Sequence, residues 1–145
     1  MDRSFLCSWA KGFENGLNEL DKDSRSCLLR QCAKACADTG VLISYQKLYK
    51  KVNGDRDAFY RSLSELGGVR GEVVASMTEY YMYFPECGCD LHKDLGVDTP
   101  VLCECSRQSI IYVAESIWQG YKIKVEQLET VLSGDKECKF RIIFE

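Results

Sequence analysis

Four of the nine cysteines form two close pairs, Cys87-Gly88-Cys89 and Cys103-Glu104-Cys105, lying 16 residues apart with the only histidine, His92, between them. Thiols in that pattern suit two chemistries. The first is metal ligation: zinc takes four soft ligands in a tetrahedron at about 2.3 Å. A Cys-x-Cys pair brings both sulfurs to one ion only where the backbone bends, and Gly88 permits the bend. The second pair falls in the first turns of a helical stretch, where residues i and i+2 diverge by about 200°. Cys103 and Cys105 then cannot both reach one ion, which weakens a four-cysteine site. Cys32 and Cys36, four apart on a second helix, share a face. A site drawing one thiol from each group therefore stands beside the site made of Cys87, Cys89, Cys103 and Cys105. Zinc is the favoured ion, because the spacing matches no ferredoxin pattern for an iron–sulfur cluster. The second chemistry is nucleophilic. A helix N-terminus favours thiolate, which makes Cys103 and Cys105 the candidate nucleophiles, with His92, Glu86, Asp90 and Glu104 as nearby bases.

The plainer reading of a free cysteine is a small buried hydrophobe. It is the favoured one for Cys7 and Cys138, and it is balanced against ligation for Cys32 and Cys36 and against surface exposure for Cys27. A lone loop histidine such as His92 is more often solvated than ligating. The aromatic residues Tyr81, Tyr83 and Trp118, with Tyr80, Phe84 and Tyr121, are candidates to line a ligand pocket, and the competing reading is sheet and helix core. Lys47, Lys50, Lys51, Arg56 and Arg61 read as a solvated basic face. Gly67-Gly68-Val69-Arg70-Gly71 lacks the lysine and hydroxyl of a phosphate-binding loop.

Composition sets the frame for this chemistry. The 145 residues suggest one domain, 1–145, with a helical part over 1–68 and a sheet with a long helix over 69–145. A chain of this size buries about 68% of the surface its unfolded form exposes, so it needs no disulfide staples. The net charge of −3 offers no basic field for nucleic acid. No apolar run approaches the ~20 residues that span a bilayer. Met1-Asp2-Arg3-Ser4 leads into a helical pattern rather than an export signal, which implies a cytoplasmic chain with reduced thiols.

Phe5, Trp9, Phe13, Leu17 and Leu20 step at helical spacing and predict one buried face. A second helix is expected over about 24–37, with Leu28, Leu29, Cys32, Ala33 and Cys36 inward and Gly40 as its stop. Two shorter helices follow, Tyr45 to Lys51 and one carrying Phe59, Tyr60, Leu63 and Leu66. The pattern then changes to Val, Tyr and Phe over 72–76 and 78–84, which reads as two strands about Ser76-Met77 or one long bent strand. Thr99-Pro100 is a helix start, and Ile110, Ile111, Ala114, Ile117 and Trp118 give that helix its stripe. Tyr121, Ile123 and Val125 alternate, then Leu128, Thr130 and Leu132 fall on the other parity, which predicts a bulge near Glu126-Gln127. Cys138, Phe140, Ile142 and Phe144 alternate and should face the core. The whole reads as an α+β domain: helices, then an antiparallel sheet with one long inserted helix and a C-terminal hairpin.

The order of these motifs resembles a known family. Phe84-Pro85-Glu86-Cys87-Gly88-Cys89 leads into Cys103-Glu104-Cys105-Ser106 at a helix start, then Lys124-Val125-Glu126, then a strand bearing Gly134, Asp135, Cys138 and Phe140. Residues 70–145 in this order resemble the 4-vinyl reductase-like small-molecule-binding domains, and the bacterial proteins named after 2-aminothiazoline-4-carboxylate hydrolase with their cysteine-rich relatives. The helix Leu29-Arg30-Gln31-Cys32-Ala33-Lys34-Ala35-Cys36-Ala37 is similar to the cysteine-bearing helix of the hydrolase-like group. The resemblance implies an α+β fold shared with nitric-oxide-sensing and vesicle-transport ligand-binding domains. It also implies a pocket for an apolar small molecule between helices and sheet, and in some members a cysteine-bound metal. By position its ligands would be Cys87, Cys89, Cys103 and Cys105, supported by Cys32 and Cys36. The family carries one cysteine before the long helix and one at its start, and here both are doubled.

Three functions follow as expectations. The first is a small-molecule-binding or sensing domain with cysteine-coordinated zinc. The second is a thiol- or metal-dependent hydrolase of a small amide or cyclic substrate. The third is an interaction subunit that forms a homodimer through its helices.

Overall fold

The computed structural model describes residues 2–145. Three of its helices begin on aspartate caps, as short side chains that satisfy free backbone N–H groups should. Helix α1 (Arg3–Glu19) starts at Asp2, whose carboxylate accepts from the Ser4 N–H. Helix α2 (Lys22–Cys36) starts at Asp21, which accepts from Ser24. Helix α4 (Arg56–Arg61) starts at Asp55, which accepts from Ala58. Gly40 was the expected stop of α2. It is instead a kink: the chain runs through a wide turn, Ala37–Val41, directly into α3 (Leu42–Lys51). After α4 the chain tightens over Leu63–Leu66 and leaves through Gly67 and Gly68, both at positive φ. No side chain but hydrogen adopts that conformation cheaply.

Strands β1 (Arg70–Ala75) and β2 (Glu79–Phe84) form the hairpin about Ser76-Met77, with Met77 at φ 64°. A short helix, α5 (Asp90–Lys93), interrupts the following loop. Pro100–Leu102 makes one tight turn before the long helix α6 (Cys103–Ile117). Strands β3 (Ile123–Glu129) and β4 (Cys138–Phe144) close an antiparallel sheet in the order β1-β2-β4-β3. The register shift in β3 falls between Gln127 and Glu129, slightly later than the sequence parity placed it.

Along β4, Cys138, Phe140, Ile142 and Phe144 are all buried, as their alternation requires. They share their face with Tyr80 and Met82 of β2, and α3, α4 and α6 pack over it. Helix α4 comes unusually close to β1: a Cβ on Gly71 would stand 2.2 Å from the Tyr60 carbonyl oxygen. The opposite face carries Glu72, Tyr81, Arg141 and Glu126 in one cross-strand row. Arg141 there pairs with Glu79 and Glu126.

Helix α2 lies on α6 through a polar seam. Ser26 donates to Glu104, Arg30 meets Gln108 and Glu115, and Tyr112 donates to Asp38. Helix α1 holds the cysteine-bearing loop: Glu14 accepts from the Asp98 N–H, and the Thr99 hydroxyl donates to Asn18. Only the C-terminal part of the α1 stripe is covered. Leu17 is buried, whereas Phe5 and Trp9 are 55% and 63% exposed, with Trp9 stacked on Phe13. Leu28, Cys32 and Cys36 of α2, expected inward, are also exposed. Among the described residues no helix is long and apolar enough to cross a membrane.

Candidate functional site: a thiol-lined cavity

A cavity of about 430 Å³ opens between the kinked α2–α3 segment, α6 and the core face of the sheet. Its wall follows from the elements. Helix α6 contributes Cys103, Cys105, Ser109, Ile110 and Val113, and β2 and β4 contribute Met82, Phe84, Cys138 and Phe140. The Gly67-Gly68 exit and the Cys87-Gly88-Cys89 loop close one side, and Cys36 stands where α2 bends. Trp118 also lines the cavity. Mostly apolar walls with a few polar groups are the ordinary make-up of a small-molecule pocket.

Of the six cysteines proposed as ligands, Cys36, Cys87, Cys89, Cys103 and Cys105 all line this cavity, and the exposed Cys32 does not. Cys138, read as a core hydrophobe, is both buried and part of the wall. Its sulfur also accepts from the Val131 N–H at 3.4 Å. The sheet edge and the start of the long helix both border this cavity. Among the described residues no three His, Cys, Asp or Glu side chains form a group that could hold a metal ion.

Burial opposes thiolate at the cavity cysteines. Burial pushes the Cys103 thiol up to about 11, against the pull of the neighbouring Thr130 hydroxyl. It pushes Cys105 up to about 12, and charge on the nearby Cys89, Cys32, Cys36 and Cys103 would add to the rise. Cys89 and Cys138 move the same way for the same reason. Desolvation outweighs the helix dipole at these thiols, and the tight turn Pro100–Leu102 precedes Cys103. Of the proposed bases, Glu86 lines the cavity beside the thiols, whereas Glu104 and His92 have other partners. Glu104 accepts from Arg107, Gln108 and Ser26. Although burial raises its pKa, those donors hold it below the usual range. His92 faces the Val97 carbonyl at 3.0 Å and Asp98 at 3.1 Å, and it is not part of the cavity wall.

Among the expected pocket aromatics, Trp118 lines the cavity, while Tyr81 and Tyr83 lie on the opposite sheet face. There the Arg70 guanidinium covers Tyr83 at 4.0 Å and the Lys139 ammonium covers Tyr81 at 4.2 Å. Their alternates, Met82 and Phe84, are the cavity residues.

A second polar cluster escaped the sequence reading. Asp57 accepts from the Ser76 hydroxyl at 2.5 Å, the Met77 N–H at 2.8 Å and the Tyr80 hydroxyl at 2.5 Å. The hydroxyls of Ser76 and Tyr80 and the Met77 N–H hold its carboxyl down at about 2. Its neighbour Arg56, expected on a solvated face, is only 3% exposed. The adjacent opposite charges Arg56-Asp57 at a helix start were the available signal.

No protein-family model and no curated protein matches the chain. Among solved structures it is similar to a trafficking protein particle complex subunit 3 from Naegleria fowleri covalently bound to palmitic acid. The identity is 12%, the match covers 99% of this chain and 95% of that one, and the TM-score is 0.48.

Proposed function

We propose that the protein binds an apolar small molecule in the thiol-lined cavity. The observation that carries the reading is the hollow itself. About 430 Å³ is left open where α6 faces the sheet, and the wall is built from Ile110, Val113, Met82, Phe84 and Phe140 with protonated thiols between them. Interiors normally close to crystal-like density, and a cavity of this size and lining suits a ligand of modest size. The thiols serve as soft, polarizable wall groups that add little polarity. Sensing would then rest on the kinked α2–α3 segment, which forms one wall and can respond to occupancy. A hydrolytic role needs a base beside a thiol; His92 and Glu104 have other partners, and of the named bases Glu86 shares the cavity wall with the thiols.

The test is a fluorescence titration with 1-aminoanthracene, a neutral apolar probe. The wild-type chain should bind it saturably, one to one. Cys105→Phe fills the cavity from α6 and should weaken binding at least tenfold while the circular dichroism spectrum stays unchanged. Equal binding by both proteins contradicts the reading. Metal analysis of protein purified without chelator accompanies it: stoichiometric zinc would return the thiols to a ligand role.

A further inference from the structure

We infer that a second cleft, on the far side of Trp118, is a receptor for a small oxyanion, a carboxylate or phosphate group, centred on Arg56. The cleft has a volume of about 410 Å³ and is lined by Tyr49, Arg56, Met77, Trp118, Gln119 and Tyr121. Met77 and Tyr121 are exposed at its mouth.

Three independent observations meet there. Arg56 is 3% exposed, yet among the described residues it makes no ion pair. Its neighbour Asp57 spends its carboxylate on Ser76, Met77 and Tyr80. A buried guanidinium without a counter-charge is costly, and buried charges in proteins are as a rule paired. Next, two donors are orphaned together: neither the Arg56 Nε–H nor the Trp118 indole N–H has a hydrogen-bond partner among the described residues. Finally, the guanidinium is held in place without any acid. Nη1 donates to the Met77 carbonyl at 2.5 Å, and the central carbon lies 3.9 Å from the Phe144 ring centroid and 4.3 Å from that of Tyr121. Ring faces attract the cation, but they supply neither negative charge nor a hydrogen-bond acceptor. An oxyanion supplies both, and the planar fork of arginine matches a carboxylate or phosphate edge. Neutral ligands would leave the charge unpaired, and cations would be repelled. The site is distinct from the apolar cavity, and Trp118 stands between the two.

The test follows both indole N–H signals of the full chain by nitrogen–proton NMR at constant ionic strength, during separate titrations with benzoate and inorganic phosphate. Trp118 should move saturably with at least one anion, while the exposed Trp9 stays still. Saturation by benzoate alone identifies a carboxylate receptor, and by phosphate alone a phosphate receptor. Arg56→Lys keeps the charge but loses the fork, and should weaken binding at least tenfold. Met77→Glu places a carboxylate at the mouth, so it should abolish the titration and raise Tm. Cys105→Phe, in the other cavity, should leave the titration unchanged. The inference is overturned if neither anion moves Trp118 more than Trp9, if the shift is linear without saturation, or if Met77→Glu leaves the titration intact.

Discussion

Strand β4 runs through two regions built on opposite plans. At its C-terminal end, Ile142 and Phe144 sit in a filled core. Tyr60 stacks on Tyr80 at 4.0 Å, Trp118 meets Phe144 edge-on at 5.3 Å, and Asp57 takes up three donors. At its N-terminal end, Cys138 and Phe140 face a hollow walled by thiols. The same strand, the same alternation and the same overlying helix α6 serve both. What differs is the covering layer. Over the C-terminal end, Phe59 and Tyr60 of α4 pack onto Trp118, Tyr80 and Phe144, whereas the bend after Cys36 and the Gly67-Gly68 exit border the hollow. Alternation fixes which face a strand buries, and the neighbouring connections decide whether that face is packed or left open.

Truncation should separate the two regions most sharply. Ile142→Ala, at a fully buried site in the filled end, should cost about 4 kcal/mol in urea unfolding. Cys138→Ala, four positions earlier on the same face, should cost less than about 1 kcal/mol, because a side chain beside an existing void gives up fewer contacts. Similar losses at the two sites would erase the distinction. Next in size is Asp57→Ala, which strands the Ser76 and Tyr80 hydroxyls and the Met77 N–H. A loss of about 3 kcal/mol is expected from hydrogen bonds to a charged group, and Tyr80→Phe should lose about half as much.

Acid probes the same cluster more gently. The folded Asp57 carboxyl titrates at about 2, below its ordinary value of 3.8. A depressed carboxylate pKa gives stability that is complete above the unfolded value and disappears as pH falls through the folded one. Urea midpoints should therefore fall between pH 4 and pH 2, and Asp57→Asn should flatten that part of the profile. The smallest expected effect is on the hollow end, read by peptide-resolved alkylation at pH 8. A thiol raised to about 11 from 9.0, as Cys103 is, holds about a hundredfold less thiolate. Cys103 and Cys105 should therefore react far more slowly than the exposed Cys27 and Cys32. One fast-reacting cysteine in the cavity wall would favour a thiol enzyme instead.

The parts of the molecule that were legible in the sequence are those governed by local periodicity. Cys138 to Phe144 alternates cleanly and buries as read, and Thr99-Pro100 opens the run into α6, while of the two readings about Ser76-Met77 the chain takes the hairpin. Cys87, Cys89, Cys103 and Cys105, singled out by their spacing, all line one cavity. What was not legible depends on tertiary contacts. Glu79-Tyr80-Tyr81-Met82-Tyr83-Phe84 is large on both parities, because basic side chains cover the outer face as well. The choice of Tyr81 and Tyr83 over Met82 and Phe84 therefore had no periodic signal to guide it. Thiol acidity was argued from the helix end alone, and burial by distant segments reversed it. Arg56 lay among basic residues that do face solvent, and only the fold shows that Phe144 and Tyr121 enclose it.

The central claim is that the thiol-lined hollow receives an apolar molecule, and backbone amide shifts during titration with 1-aminoanthracene test it most directly. The account predicts that the amides of Cys36, Gly68, Ser109 and Leu132, residues from four separate segments of the wall, move together along one saturable curve. Shifts confined to the exposed Phe5 and Trp9 on α1, or no saturable shift at all, would contradict it.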